Sequence, residues 1–148
     1  MDKLAWCKQQ KNGIELISPN NNLCTAYLAD ADDSLLAMDK NSGKWKAVTA
    51  YYACYNAVYA LLMKTGIKCE IHDCTLELMQ VFAFSKEQRA FLEKLKKERI
   101  QVQYYLQAPA PLDTKPVKYF VVHCKKIAAE LDAATITQLR GLVKNGLY

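Results

Sequence analysis

The chain has 148 residues, of which 51% are hydrophobic and 24% charged, so we expect one domain with a core of its own over residues 1–148. No window holds the roughly 18 consecutive apolar residues of a membrane span, and the first ten residues lack the apolar segment of a secretion signal, so we expect a soluble, cytoplasmic protein. The formal net charge of +5 permits a nucleic-acid partner without requiring one.

Seven helices are predicted from the hydrophobic periodicity and from the Gly- and Pro-containing breaks between the periodic segments. They span residues 3–11, 23–38, 45–64, 72–84, 86–106, 115–131 and 135–144. On the second helix, the expected inner face carries Leu23, Ala26, Tyr27, Asp30, Ala31, Ser34 and Leu35. No Asn-Gly or Asp-Gly pair joins two alternating apolar segments, so no β-hairpin is expected. Helices joined by short connections predict an all-α fold, an up-and-down helical bundle.

The helix over residues 45–64 (WKAVTAYYACYNAVYALLMK) is apolar on all sides, which is typical of the central helix of a bundle. Asn56 lies in the middle of this segment. A buried amide without a hydrogen-bond partner costs about 1–3 kcal/mol, so Asn56 is either a satisfied core or interface residue or a polar group that faces a cleft. Tyr52 and the neighbouring tyrosines have the helical spacing of core residues, although they would also offer stacking surfaces.

The helix over residues 86–106 carries an apolar stripe with an arginine in it. Phe91, Leu95, Val102 and Leu106 form the stripe, and Arg99 lies between Leu95 and Val102. A buried guanidinium must be paired, so Arg99 either snorkels or forms an ion pair, or it holds a phosphate or carboxylate. Residues 86–99, which include Lys96, hold six basic and three acidic side chains. Such a segment is usually a solvated face, but it also suits a nucleic-acid or nucleotide contact.

Six cysteines are present: Cys7, Cys24, Cys54, Cys69, Cys74 and Cys124. We expect all six to be reduced, mostly buried thiols, because no export signal is visible and the chain can build a core without disulfides. Cys69, His72 and Cys74 resemble a zinc ligand set but fall short of a standard pattern, so we expect no metal and no cofactor. His72 is interpreted as a capping or polar surface residue, and His123 as a histidine packed within its helix.

Residues 50–62 (AYYACYNAVYALL), followed by residues 64–67 (KTGI) and His72, resemble the HEPN domain family. The neighbouring helices and the helix over residues 115–131 also fall where that family has them, whereas residues 1–22 and 133–148 lie outside the resemblance. The resemblance implies a helical bundle of the HEPN type, which is usually a homodimer.

Many HEPN proteins are ribonucleases whose long helix carries an Arg and, after four to six intervening residues, a His. The Arg acts on the phosphate and the His serves as acid or base across a dimer cleft. Arg99 matches the Arg, but Tyr104 stands where the His is expected, with Gln103 before it. Phenols ordinarily titrate near a pH of about 10, which makes them poor proton shuttles at neutral pH.

The leading hypothesis is therefore a non-catalytic HEPN-like module that binds a partner protein, a nucleotide or RNA. The residues assigned to binding are Arg99, Asn56, Tyr52 and Lys96. By resemblance, the partner protein is a minimal nucleotidyltransferase in a toxin–antitoxin-like pair. One alternative is a metal-independent ribonuclease that uses Arg99 with Tyr104 or Asn56 in place of the missing His. Another alternative is a plain dimerisation module.

A homodimer is expected on physical grounds as well. The helix over residues 45–64 and the arginine-containing stripe of the helix over residues 86–106 offer more apolar surface than one core needs. Pairing two copies would bury the surplus at roughly 25 cal/mol per Å². Two-fold symmetry would then place the Arg99 side chains of both copies, together with Asn56, along a shared groove.

Overall fold

The computed structural model describes residues 2–145, and this part of the chain contains seven α-helices and one two-stranded sheet. The prediction of an all-α helical bundle is confirmed. The helices are α1 (Lys3–Gln9), α2 (Asn21–Lys40), α3 (Gly43–Thr65), α4 (His72–Leu78), α5 (Lys86–Tyr104), α6 (Thr114–Glu130) and α7 (Ala133–Asn145). Within residues 2–145, no helix combines the length and the apolar character needed to cross a membrane.

Helix α3 is the centre of the bundle, as its composition predicts. It packs along α2 and is flanked by α5 and α6, so most of its side chains are buried. One stripe of α3 remains partly accessible; it consists of Thr49, Tyr52, Asn56 and Tyr59, spaced three or four residues apart. Tyr51 and Tyr55 are buried in the core of the same chain. The tyrosine surface left over for a second copy is therefore smaller than the sequence indicated.

The helix ends follow the chemistry of their terminal residues. Ser85 accepts a hydrogen bond from the backbone N–H of Gln88, and the Gln88 side chain accepts one from the backbone N–H of Ser85, so α5 begins with a capping box. Gly66 ends α3 with a left-handed conformation (φ +73°). Arg140 of α7 reinforces that end, because its Nη1 donates to the carbonyl oxygens of Ile17, Thr65 and Gly66 at 2.6–3.0 Å.

The sheet joins the two segments that flank the α2–α3 pair. Strand β1 (Glu15–Leu16) pairs antiparallel with β2 (Ile67–Lys68), with Glu15 opposite Lys68 and Leu16 opposite Ile67. Two residues show no alternation that could be recognised in a sequence. The pair is also formed across a whole helical hairpin, so no turn signal marks it.

Two helix predictions are wrong in extent. The predicted helix over residues 72–84 is α4 followed by a 3₁₀ turn at Met79–Val81, because Phe82 takes an extended conformation that buries its ring in the core. Helix α5 ends at Tyr104 rather than at Leu106, which has a positive φ of 54° and is largely exposed.

The predicted inner faces of α2 and α5 are also partly wrong. Cys24, Ala31 and Met38 are the buried residues of α2, whereas Leu23, Ala26 and Asp30 are exposed. On α5, the buried residues are Leu92, Leu95, Arg99 and Val102, whereas Phe91 is only half-buried. A wide apolar stripe tolerates such a rotation of the helix, so its centre is poorly defined by sequence.

The prediction that all six cysteines are reduced is wrong for two of them. Cys7 of α1 and Cys74 of α4 form a disulfide, whereas Cys24, Cys54, Cys69 and Cys124 are free and buried. The absence of an export signal and the presence of a sizeable core favoured free thiols, but neither feature shows which cysteines the fold brings together. The fold packs α1 against α4, which brings two thiols that are distant in sequence into bonding distance.

Candidate functional site

Arg99 lies on the inner side of α5 and is surrounded by tyrosine rings. Its side chain is only 7% exposed. The guanidinium carbon lies 4.9 Å from the ring centre of Tyr51 and 5.5 Å from those of Tyr52 and Tyr104. The faces of aromatic rings attract a cation, and more strongly when water is excluded. We refer to Arg99, Tyr51, Tyr52, Tyr104 and His72 as the Arg99 cluster.

The polar contacts of Arg99 are few, long and neutral. Its Nη1 donates to the Tyr52 hydroxyl at 3.3 Å and to the Gln103 side-chain oxygen at 3.4 Å. Its Nε is buried and has no acceptor within the described part of the chain. None of the ion pairs among residues 2–145 includes Arg99. The charge of this buried guanidinium is therefore not balanced by a carboxylate, which is an unusual and costly state.

His72 belongs to the same cluster, and its interpretation as a capping or polar surface residue is wrong. Ile71 is the N-cap of α4, and no side chain caps that end. The His72 ring stacks on Tyr55 with a centroid distance of 4.1 Å, and its Nδ1 shares a 2.8 Å hydrogen bond with the Tyr51 hydroxyl. The short loop between α3 and α4 carries the imidazole back against the tyrosines of α3.

The protonation states in the cluster follow from burial and charge. Burial lowers the pKa of His72 from its usual value of 6.5, and the positive charges of Arg99 and Lys96 lower it further. Burial raises the pKa of Tyr51 far above its usual value, so the phenol keeps its proton. A neutral imidazole can accept a hydrogen bond from the Tyr51 hydroxyl at Nδ1, in which case His72 carries its own proton on Nε2.

Lys96 lies one turn before Arg99 on α5 and pairs with Asp73, the residue that follows His72. The pKa of Lys96 is lowered by burial and then by the positive charges of Arg99 and Lys3. The two basic residues therefore raise the positive potential of the same region. Asp73 offsets the charge of Lys96, whereas Arg99 has no corresponding partner in residues 2–145.

Of the predicted site residues, the structure brings together Arg99, Tyr52 and Tyr104, with Lys96 beside them. Asn56 stays outside these contacts. It is half-buried, one turn beyond Tyr52 on the partly accessible stripe of α3.

The cluster members that the sequence did not identify are Tyr51 and His72. Tyr51 has the spacing of a core residue and is indeed buried, so periodicity alone gives it no polar role. Its hydrogen bond with His72 joins α3 to the start of α4, and only the fold reveals that contact. One feature of the sequence does point to the contact of His72 with α3. His72 follows α3 after only a short connection, and a chain that reverses direction there places the next residues against the helix it has just left.

Within residues 2–145, Cys69, Cys74 and His123 each have a partner of their own. Cys69 is buried with its Sγ 3.4 Å from the carbonyl oxygen of Ile71, and Cys74 is in the disulfide. Over residues 2–145, no three His, Cys, Asp or Glu side chains converge where they could hold a metal ion. His123 of α6 packs against the segment before α5, with its ring centre 5.6 Å from that of Phe84 and its Nε2 2.8 Å from the carbonyl oxygen of Ala83.

Comparison of the chain with protein-family models, with characterised proteins and with solved structures finds no match.

Proposed function

We propose that the chain is a HEPN-like helical module that binds a phosphate group, of a nucleotide or of RNA, at the Arg99 cluster without cleaving it. The observation that carries this proposal is the unbalanced charge of Arg99, which is 7% exposed and has only neutral partners in residues 2–145. A phosphate would supply the missing negative charge and accept hydrogen bonds from the guanidinium.

The other side chains have roles that follow from their positions. Tyr104 is 64% exposed and lies over the guanidinium, so its ring forms the outer wall of the site and offers a surface for a base to stack on. The hydroxyl of Tyr52 provides a second donor beside Arg99. Lys96 adds positive potential, and Asn56 presents its amide farther along α3 for a ribose or base.

The geometry favours binding over cleavage. A general base must accept a proton from the substrate, but the Nδ1 of His72 is already bonded to the Tyr51 hydroxyl. The lowered pKa of His72 also makes it a poor general acid at neutral pH. Arg99 can thus hold a phosphate, whereas the Nδ1 of His72 is not free for the proton transfers of hydrolysis.

A homodimer and a protein partner are part of the same proposal. Tyr104, Tyr105 and Leu106 are all more than half exposed at the end of α5, and the ring of Tyr104 lies over Arg99. A patch of this kind suits burial against a second copy or against another protein. By resemblance, the protein partner is a minimal nucleotidyltransferase. Co-purification from the native host followed by mass spectrometry tests that assignment, which fails if no nucleotidyltransferase is recovered.

The binding proposal is tested with a fluorescent single-stranded RNA oligonucleotide and with fluorescent AMP, by anisotropy at fixed ionic strength. Arg99→Gln is expected to weaken binding at least about tenfold, because a charge-assisted contact to phosphate is lost. Lys97→Gln is the matched control, since it removes one exposed positive charge from the same helix. Equal losses in both variants would show that the basic face of α5, and not the cluster, holds the ligand.

The ribonuclease alternative is favoured by one observation, the placement of His72 in the cluster with Arg99. Unlabelled RNA is incubated with the wild type, with Arg99→Ala and with His72→Ala. The binding proposal predicts no cleavage by any of them. Cleavage by the wild type that both variants abolish would establish the ribonuclease and overturn the non-catalytic assignment. If neither cleavage nor binding is found, the plain dimerisation module remains.

A further inference from the structure

The first turn of α4 joins the Arg99 cluster to two other parts of the fold. Its residues His72, Asp73 and Cys74 stand next to one another in the sequence. The ring of His72 bonds to a tyrosine hydroxyl of α3, the Asp73 carboxylate pairs with a lysine of α5, and Cys74 forms the disulfide with α1. A movement of this turn therefore changes where the His72 ring lies in the Arg99 cluster.

Helix α1 is held mainly through its contact with α4. It has only seven residues, and a helix of that length has little stability of its own. Its buried side chains are those of Leu4 and Cys7. Lys3, at the start of α1, lines one groove together with Asp73 and Lys96. The disulfide therefore keeps the positive charge of Lys3 close to the pair of Asp73 and Lys96.

Breaking the disulfide needs room that the packed core does not offer. Cys7 and Cys74 have no exposed surface. Two separate thiols must lie farther apart than two bonded sulfurs, because non-bonded heavy atoms keep a distance of about 3.5–4 Å. The start of α4 is also bonded to α3 and α5, whereas α1 packs mainly on α4. We therefore expect α1, rather than α4, to move when the bond is broken.

We propose that the disulfide between Cys7 and Cys74 is a redox switch for the Arg99 cluster, an inference that rests on the phosphate binding proposed above. In the oxidised chain, α1 is docked on α4 and the His72 ring is fixed against the tyrosines of α3. Lys3 then adds to the positive potential that attracts an anion. In the reduced chain, α1 leaves α4. The site loses the charge of Lys3 and the rigid first turn of α4, so phosphate binds more weakly.

The switching step is a thiol–disulfide exchange with a dithiol reductant. A brief local opening of α1 gives the reductant access to the bond. One thiolate of the reductant attacks a sulfur of the disulfide and forms a mixed disulfide, and its second thiolate then displaces the remaining cysteine. Cys7 and Cys74 together gain two electrons and two protons and become thiols, while the reductant becomes a disulfide.

The test measures binding of fluorescent AMP and of fluorescent single-stranded RNA by anisotropy, with the full chain oxidised and after treatment with dithiothreitol. Reduction is expected to weaken binding at least about fivefold. Cys7→Ser combined with Cys74→Ser should bind as weakly as the reduced wild type and should not respond to dithiothreitol. Cys24→Ser is the matched control. It removes a free thiol and leaves the disulfide in place, so its affinity should still fall on reduction.

The outcomes separate the switch from the proposed function. If the oxidised and the reduced wild type bind the ligands equally, the switch is overturned and phosphate binding stands. If the oxidised chain binds neither ligand, phosphate binding at the Arg99 cluster is overturned, and the switch with it.

Hydrogen exchange followed by mass spectrometry shows whether the change is local. The backbone amides of α1 and of the first turn of α4 should exchange faster in the reduced chain, whereas those in the buried middle of α3 should remain protected. Unchanged exchange in α1 after reduction would contradict its release. Loss of protection throughout α3 would show that reduction unfolds the chain, which would also overturn a local switch.

Discussion

His72 shows how a single residue depends on the cluster around it. Its pKa in the folded chain is lowered, first by burial and then by Arg99 and Lys96. The unfolded state therefore binds more protons as the pH falls below about 6.5, and the folded state loses stability over that range until the folded pKa is passed. The lowered pKa of His72 therefore favours the folded state above about pH 6.5 and lowers the free energy of unfolding at more acidic pH.

This linkage gives a direct prediction for His72→Gln. The free energy of unfolding of the wild type should fall between about pH 7.5 and about pH 5.5, and the fall should be smaller in the variant because the titrating group is gone. Denaturant melts at the two pH values provide the measurement. An equal fall in wild type and His72→Gln would contradict the assigned environment.

Gly66 tests the turn that directs the chain from α3 towards His72. A Cβ at this position would lie 2.3 Å from the Ile17 carbonyl oxygen and 2.4 Å from Nη1 of Arg140, and the positive φ disfavours any other residue. Gly66→Ala should therefore lower the free energy of unfolding by at least about 1–3 kcal/mol. Gly141→Ala is the control, because a Cβ there meets no atom within 4 Å. A melt in which both variants match the wild type would rule out the strained turn.

At the scale of the elements, the disulfide between α1 and α4 is the clearest departure from the sequence interpretation. It fastens α1 to the helix that begins with His72. Without reductant, alkylation of the denatured chain should modify four cysteines; after reduction, it should modify all six. Mass spectrometry of the alkylated chain makes the measurement. Six modified cysteines without reductant would show that the two thiols are not joined.

The disulfide closes a long loop, since its two cysteines are 67 residues apart. In the chain-entropy description, such a crosslink stabilises the folded state by about 4 kcal/mol. Cys7→Ser together with Cys74→Ser should reduce the free energy of unfolding by up to this amount, as measured by denaturant melts. Reductant should have little further effect on the double variant. If reductant leaves the free energy of unfolding of the wild type unchanged, the disulfide does not contribute to stability.

The helices themselves were largely predictable because local signals mark them. Helix α5 begins at Lys86 as predicted, behind the capping box of Ser85 and Gln88; Gly66 ends α3, and the apolar segment of α3 is central as expected. The contacts between elements were not predictable in the same way. The β1–β2 pair, the disulfide and the bond between Tyr51 and His72 all join residues distant in sequence. Local propensity and periodicity carry no information about such pairings.

At the scale of the whole molecule, the residues available for the proposed homodimer interface are exposed ones at the end of α5, not additional apolar residues of α3. Tyr51 and Tyr55 are buried within one chain, so the remaining candidates are Tyr104, Tyr105 and Leu106 at the end of α5. Multi-angle light scattering at micromolar concentration should give twice the chain mass of 16.8 kDa. Tyr105→Ser combined with Leu106→Ser should shift the protein towards monomer. A wild-type mass of a single chain would remove the dimer and the shared groove.

The central claim is that a phosphate binds where the charge of Arg99 is unbalanced. The most direct measurement is the pKa of His72, followed by NMR through its ring signals with and without AMP or a short single-stranded RNA. A phosphate near Arg99 should raise the pKa of His72, because it offsets one of the charges that lower it. The signals of His123, on α6, provide the internal control and should not respond to ligand. If neither ligand moves the His72 titration, or if Arg99→Gln shows the same shift as the wild type, the phosphate does not bind at the Arg99 cluster.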